Sequence, residues 1–142
     1  MHKTMSESKN ILEIKDLRVH FPVRGGVFRR AVGACKAVDG VSLSLKKGQT
    51  LGLVGESGCG KSTLAKAVVK LVEPTSGSIR FKNKEVSESE DEINFRKSVQ
   101  MVFQDPAESL NSRMTVGSII GEPLEVHQIG DKSERLGRVE QL

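Results

Sequence analysis

Alternating apolar and polar residues mark the first third of the chain. From Ile11 to Phe21 the apolar positions alternate with polar ones in two registers that change at Asp16. Such alternation predicts a half-buried β-strand with a bulge or turn near Lys15 and Asp16. Val38–Leu45 repeats the pattern and predicts a second strand. Residues 22–37 lie between the two, and their proline, three glycines and four basic residues predict a surface loop.

Two mainly apolar runs predict buried core strands. They are Thr50–Val54 and Val99–Phe103. Strands of this kind are typical of the parallel core sheet of an α/β protein. A further short strand is predicted at Ser78–Phe81, and it leads into a hairpin-like turn at Lys82–Lys84.

Helical periodicity appears in three other places. Leu64–Val72 is amphipathic and is followed by Pro74, which favours the end of a helix. The acidic stretch 87–92 carries two serines as candidate N-caps for a helix that runs towards Arg96. Thr115–His127 is helical in pattern but contains a glycine and a proline. Residues 1–10 are polar, and we expect them to be disordered.

The chain's most informative motif lies between the first predicted core strand and the first predicted helix. The run GESGCGKS at 55–62 matches the phosphate-binding consensus G-x-x-x-x-G-K-[ST] in full. A glycine loop in this position directs backbone N–H groups at a polyphosphate. Lys61 is expected to reach the β- and γ-phosphates, and the Ser62 hydroxyl to ligate Mg²⁺. The alternative is a glycine-rich turn that binds no ligand.

The composition indicates a single globular domain and argues against a nucleic-acid-binding, disulfide-rich or membrane-spanning protein. The chain has 142 residues, enough for one domain with a real core, and a formal net charge of +4. Residues 1–50 carry 10 Lys and Arg against 4 Asp and Glu, but the chain has no Trp, no Tyr and only 5 Phe, which argues against nucleic acid as a partner. Its 2 cysteines make no disulfide framework, and a reducing compartment fits best. No apolar run is long enough to span a membrane.

The order of these features resembles the nucleotide-binding domain of ABC transporters, most closely the ATP-binding subunits of bacterial oligopeptide and dipeptide importers. Three segments carry the resemblance: residues 12–45 with their long basic insertion, residues 46–81 around the phosphate loop, and residues 100–124 with their VFQDP sequence. The resemblance implies an α/β P-loop NTPase fold with an antiparallel β-subdomain. It places the β-subdomain and P-loop core at 11–105 and the start of a helical subdomain at 106–142.

The resemblance also implies a set of site residues and the cofactors ATP and Mg²⁺. Gln104 takes the place of the family's Q-loop glutamine, which meets Mg²⁺ and the attacking water; the alternative is that Gln104 only begins a turn closed by Pro106. By the resemblance, Lys61 and Gln104 are the candidate catalytic residues, and Ser62 and Gln104 are the candidate metal ligands. Phe21 is the candidate for stacking on adenine, with Phe28 as its rival and a core role as the alternative. The remaining nucleotide contacts are expected at Gly55, Glu56, Ser57, Gly58, Cys59, Gly60 and Thr63.

Several parts of the family's equipment are absent from these 142 residues. There is no LSGGQ-like signature and no apolar run ending in Asp-Glu, and His127 is too close to Gln104 to be the switch histidine. Ala107 and Ser112 replace the aromatic residue and the proline usual in the peptide branch. We therefore expect a fold truncated after the start of the helical subdomain, which binds ATP without turnover by itself.

The resemblance implies partners and a location as well. A full-length relative would pair with a second ABC ATP-binding subunit and with permease subunits, and would lie in the cytoplasm at the inner face of the membrane. Two other functions stay open from the sequence. One is a non-catalytic nucleotide-binding remnant without a transport role, and the other is a different P-loop NTPase such as a kinase or GTPase.

Overall fold

The computed structural model describes residues 10–25, 30–86, 90–104 and 110–142. The chain forms two compact units, Met1–Val99 and Gln100–Leu142. We expected residues 1–10 to be disordered; residues 1–9 lie outside the described part, and Asn10 is the first residue of a strand. Among the helices that are described, none combines the length and the hydropathy needed to cross a membrane.

The first unit is built on a four-stranded antiparallel sheet. Its strands are β1 (Asn10–Gly25), β2 (Arg30–Lys46), β3 (Ser76–Phe81) and β4 (Lys84–Glu85), in the order β2-β1-β3-β4. β1 pairs with β2 from Asn10 opposite Lys46 to Gly25 opposite Arg30.

The predicted irregularity near Asp16 is confirmed. The β1–β2 register shifts between Ile14 and Leu17, and Asp16 has φ of 46°. The backbone N–H of Asp16 donates to Ser42 Oγ at 2.9 Å. Since a side chain changes face at each residue of a strand, the shift keeps the apolar residues on both sides of it directed at the core.

The predicted surface loop at 22–37 is wrong for most of its length. β1 continues to Gly25 and β2 starts at Arg30, so residues 22–25 and 30–37 belong to strands, and residues 26–29 lie outside the described part. β3 pairs with β1 no further than Arg18 opposite Ser76. Beyond that point no described strand pairs with this edge of β1, and an edge position tolerates Pro22, which has no N–H to donate.

The predicted hairpin after β3 is confirmed. Phe81 pairs with Lys84, and the two residues between them, Lys82 and Asn83, have φ of 50° and 67°. Two successive left-handed residues define the tight turn whose twist matches that of paired strands.

One apolar cluster holds the first unit together. Helix α1 (Lys61–Val68) contributes Leu64 and Ala67, and helix α2 (Glu90–Ser98) contributes Phe95, which packs edge-on against Phe81 with ring centroids 5.2 Å apart. The buried members from the strands and the turn after β4 are Ile14, Leu17, Val19, Val38, Ile79 and Val86. The two serines proposed to cap α2, Ser87 and Ser89, lie outside the described residues.

The two predicted core strands are not formed. Thr50–Val54 and Val99–Phe103 have no strand structure, and Val54 and Val102 are 93% and 86% exposed. A strand buried on both faces needs a partner strand at its side and helices over both faces. Among the described residues neither segment has a strand partner, and most of their apolar side chains are exposed, although Val99 packs against the core cluster.

Helix α1 ends four residues earlier than predicted. Its last helical residue is Val68, and Lys70 follows with φ of 59°. The N–H of Leu71 donates to the carbonyl of Lys66 at 2.8 Å. A left-handed residue with a bond reaching back across the last turn satisfies the end of a helix, so the termination needs no proline.

The second unit is a pair of helices. α3 (Val116–Val126) confirms the helix predicted at Thr115–His127, and Thr115 Oγ1 accepts from the N–H of Ser118 at 3.2 Å as its N-cap. α4 (Lys132–Gln141) was not predicted. Val139 of α4 packs against the α3 glycines at 117 and 121.

Candidate phosphate-binding site

The glycine loop leads directly into helix α1, which begins at Lys61 as the motif requires. Gly60 is its N-cap with φ of 95°, and the first helical bond runs from the N–H of Leu64 to the Gly60 carbonyl at 2.8 Å. The N–H groups of Lys61, Ser62 and Thr63 precede that bond and have no acceptor within the helix. These free donors and the positive end of the helix dipole make the loop suitable for an anion.

One glycine of the loop is required by its close contact with the sheet, and a contact at a second glycine shows how the loop curls. Gly60 lies against strand β2, where an added Cβ would come 2.1 Å from the carbonyl oxygen of Ala37. At Gly55 an added Cβ would come 2.8 Å from Cys59 Sγ. The first contact fixes the loop against the sheet, and the second shows how tightly the loop curls upon itself.

The ammonium of Lys61 lies inside this curl. Its Nζ donates to the carbonyl of Gly55 at 2.8 Å and to that of Glu56 at 2.6 Å, and it lies 3.4 Å from Cys59 Sγ. An ammonium has three donors, and the loop supplies an acceptor for each. The positive charge is thereby held in the concave side of the loop, which is where a phosphate would need it.

A cavity of about 330 Å³ opens beside the loop. It is lined by Gly58, Cys59, Gly60, Lys61, Ser62 and Thr63 on one side and by Cys35, Lys36 and Ala37 of β2 on the other. The β2 side of the cavity (Cys35, Lys36 and Ala37), which we call the β2 wall, was not predicted because the sequence analysis assigned this stretch to a loop. No local signal in the sequence marks Ala37 as the neighbour of Gly60.

Lys36 of the cavity lining belongs to a cluster of charged side chains on β1 and β2. Asp39 on β2 accepts from Lys36 Nζ at 3.2 Å and contacts His20 Nε2 at 2.9 Å, and Arg18 Nε lies 3.7 Å away. The hydrogen bond from Lys36, and after it the one from His20, hold the pKa of Asp39 below its ordinary value of 3.8. The carboxylate therefore stays ionised and offsets part of the positive charge next to the cavity.

The two other predicted site residues lie on different parts of the chain. Phe21 is 44% exposed on β1, directly opposite Cys35, which lines the cavity. Opposite residues of an antiparallel pair share one face, so Phe21 is on the face of Cys35. Its rival, Phe28, lies outside the described residues. Gln104 belongs to the second unit, where it is exposed and follows an irregular segment.

The residues present fit a polyphosphate and an accompanying Mg²⁺. Lys61 supplies the charge, the start of α1 supplies free N–H groups, and Ser62 supplies an exposed hydroxyl oxygen, a ligand type that suits Mg²⁺. Gly60 lets the loop approach β2, the other wall of the cavity, more closely than a residue with a Cβ could. The roles of individual residues, Phe21 and Gln104 included, stay predictions.

Comparison with known proteins finds similarity to the ATP-binding proteins of ABC transporters. The sequence model of the ABC transporter family matches residues 38–141. The chain is 51% identical to the oligopeptide transport ATP-binding protein AppF of Bacillus subtilis, over 98% of this chain and 43% of that protein. It is 46% identical to the oligopeptide transport ATP-binding protein OppF of Salmonella typhimurium, over 89% of this chain and 39% of that protein.

A solved structure agrees in fold. The structure of cbiO1 from Clostridium perfringens, part of the ABC transporter complex cbiONQ, superposes with a TM-score of 0.64 and 27% identity, over 93% of this chain and 48% of that one. The chain thus spans about two fifths of the curated relatives' length and about half of this structure.

Proposed function

The chain belongs to the ABC transporter family, and from this premise we propose that it is the ATP-binding, energy-coupling part of an importer for oligopeptides or dipeptides. One observation carries the nucleotide assignment: the Lys61 ammonium is held within the curl of a glycine loop at the start of α1. The importer class rests on the names of AppF and OppF, which are oligopeptide transport ATP-binding proteins.

The loop's own groups perform the binding. A triphosphate tail enters the cavity, and its oxygens replace the carbonyls of Gly55 and Glu56 as acceptors for Lys61 Nζ. The N–H groups of Lys61, Ser62 and Thr63 donate to the same phosphates. Ser62, and Gln104 by the resemblance, would hold Mg²⁺, which would supply positive charge to offset that of the phosphates.

We propose that adenine lies on the sheet side of the site. Phe21 offers an exposed ring on the same strand pair as the cavity wall, and stacking on an aromatic ring is worth about 1 kcal/mol. Phe21 and the loop are thus the two ends of the proposed nucleotide contact.

We extend the proposal to organisation and partners. Residues 11–105 form the β-subdomain and P-loop core, and 106–142 begin the helical subdomain. The partners are a second ABC ATP-binding subunit and the permease subunits, through which the chain lies peripherally at the cytoplasmic face of the membrane. Since these 142 residues include no signature motif and no catalytic glutamate, the chain binds ATP without turning it over by itself.

Replacement of the central charge tests the proposal. Lys61→Ala removes charge-assisted hydrogen bonds worth about 1.5–3 kcal/mol, so Mg-ATP should bind roughly 10–100-fold more weakly in calorimetric titration. Lys66→Ala is the matched control, because Lys66 is an exposed lysine of the same helix outside the loop. Equal affinities of the wild type and Lys61→Ala would refute the proposed site.

A further inference from the structure

The two cysteines of the chain meet at one cavity. Cys35 lies on strand β2 and Cys59 lies in the glycine loop, and both are free, exposed and part of the lining of the 330 Å³ cavity. Cys59 is an expected nucleotide contact, but the phosphate binding described above uses the Lys61 ammonium and backbone N–H groups and neither thiol. The two thiols therefore share the cavity for a reason other than phosphate binding.

The backbone brings the two residues within reach of each other. Gly60 lies against Ala37 so closely that no Cβ fits between them. Cys59 directly precedes Gly60, and Cys35 precedes Ala37 by two residues, which is about 7 Å along a strand. The β1–β2 register shifts at Ala37, between Lys36 opposite His20 and Val38 opposite Val19, and both Cys35 and Ala37 line the cavity. A disulfide requires Cα atoms roughly 4.4–6.8 Å apart, so the bridge forms when the loop moves Cys59 towards Cys35 across the cavity that both residues line.

Cys59 is also placed where such a movement is easy. It stands between Gly58 and Gly60, both with positive φ, 81° and 95°. Its side chain now lies over Gly55, with Lys61 Nζ 3.4 Å from Sγ, and its N–H donates to the Glu56 carbonyl at 3.4 Å. Both contacts are long and exposed, so little is lost when Sγ turns from Gly55 towards β2.

We propose that Cys35 and Cys59 form a reversible disulfide that closes the phosphate-binding loop under oxidising conditions. The oxidant class is a hydroperoxide. One thiolate attacks the peroxide oxygen, the O–O bond breaks, and a sulfenic acid and water result after proton transfer. The second thiol then attacks that sulfur, the S–O bond breaks, and a second water leaves. With hydrogen peroxide, two thiols give one disulfide and two waters.

The bridge would act on the nucleotide by position, a consequence that rests on the proposed function. It pulls Cys59 away from Gly55 and opens the curl that holds Lys61. It also places two sulfur atoms inside the cavity that a triphosphate must enter. Mg-ATP, once bound, keeps the loop curled and should protect both thiols. The site would thus bind nucleotide in its dithiol form and exclude it in its disulfide form.

Hydrogen peroxide treatment of three proteins tests the proposal: the wild type, Cys35→Ser and Cys59→Ser. Each is quenched with catalase, mapped by mass spectrometry without reduction, and titrated with Mg-ATP against its own reduced form. In the wild type we expect a Cys35–Cys59 linked peptide, a mass lower by two hydrogens, at least about tenfold weaker binding and full recovery in dithiothreitol. Neither variant should form an intramolecular link.

The outcomes separate the two proposals. Oxygen adducts or cross-linked dimers without the linked peptide would overturn the disulfide. A linked peptide with unchanged Mg-ATP affinity would overturn its effect on the loop, and an equal loss of affinity in Cys35→Ser would assign that loss to Cys59 alone. If the reduced wild type binds no Mg-ATP, the proposed function fails, while the linked peptide still decides whether the two thiols pair.

Discussion

Strand β1 and the segment before the glycine loop contain the same kinds of side chain but differ in burial. Leu17 and Val19 of β1 are 0% and 1% exposed, whereas Leu53 and Val54 are 49% and 93% exposed. β1 has a hydrogen-bonded strand on each side, β2 and β3. The 51–54 segment has no strand partner among the residues that the structure describes.

The difference shows what each kind of strand requires. An antiparallel strand finds its partner across a short connection, so β1 and β2 satisfy each other's backbone groups locally. A strand of a parallel sheet depends on neighbours that are distant in sequence. The phosphate-binding loop lies at the border of these two regions. The loop is positioned by the contact of Gly60 with β2 and by helix α1, which follows it, rather than by the 51–54 segment before it.

The largest effect is expected from a matched pair of leucine truncations. Leu17→Ala opens a cavity in a fully buried site and should lower the free energy of unfolding by about 2–5 kcal/mol. Leu53→Ala removes a half-exposed side chain and should change it by less than about 0.5 kcal/mol. Urea unfolding followed by far-ultraviolet circular dichroism measures both. A cost for Leu53→Ala close to that of Leu17→Ala would show that the segment is buried, and the contrast would be lost.

The features that could be predicted from the sequence are those with a local cause. The start of α1 at Lys61, the turn at Lys82 and Asn83, and the irregularity at Asp16 each depend on a few neighbouring residues. Helix α4 had such a signal too, and it was missed. Asp131 and Glu134 form a reciprocal capping box, with bonds of 2.9 Å in both directions. The pattern Asp-x-x-Glu is the known mark of a helix start.

What could not be predicted depends on partners distant in sequence. The apolar run Thr50–Val54 predicts a buried strand, but burial needs neighbours that the run itself does not specify. The wall at Cys35–Ala37 was hidden because glycine and basic residues suit an exposed ribbon as well as a loop. The glycine loop was identified residue by residue, whereas the surface it rests on was not.

The next largest effect concerns the contact between the loop and the sheet. Gly60→Ala places a Cβ against the Ala37 carbonyl and a left-handed backbone on alanine, so it should destabilise the protein by about 2–3 kcal/mol. Gly58→Ala is the control, because its φ is also positive but nothing lies within 4 Å of the added Cβ. It should cost only about 1 kcal/mol. Thermal unfolding without nucleotide compares the two, and equal losses would mean that the loop does not rest on β2.

The smallest expected effect concerns the charged side chains on the β2 side of the cavity. Asp39 faces Lys36, His20 and Arg18, and the first two hold its pKa below 3.8. A carboxyl whose pKa is lower in the folded than in the unfolded protein adds stability above its unfolded pKa. That stability is lost as the pH falls through the folded pKa. Asp39→Asn should therefore be slightly less stable than the wild type at neutral pH, and the gap should close below about pH 4.

Carboxyl-carbon NMR titration locates the cause of this effect. The largest contribution to the lowered pKa of Asp39 comes from its hydrogen bond to Lys36, so Lys36→Met should raise that pKa towards 3.8. Lys66→Met removes an equal charge from an exposed site on α1 and should leave the Asp39 pKa unchanged. If the pKa of Asp39 stays the same in both variants, Lys36 is not bound to Asp39 in solution. Its full charge would then be available to the cavity, and the sheet would attract phosphate as well as support the loop.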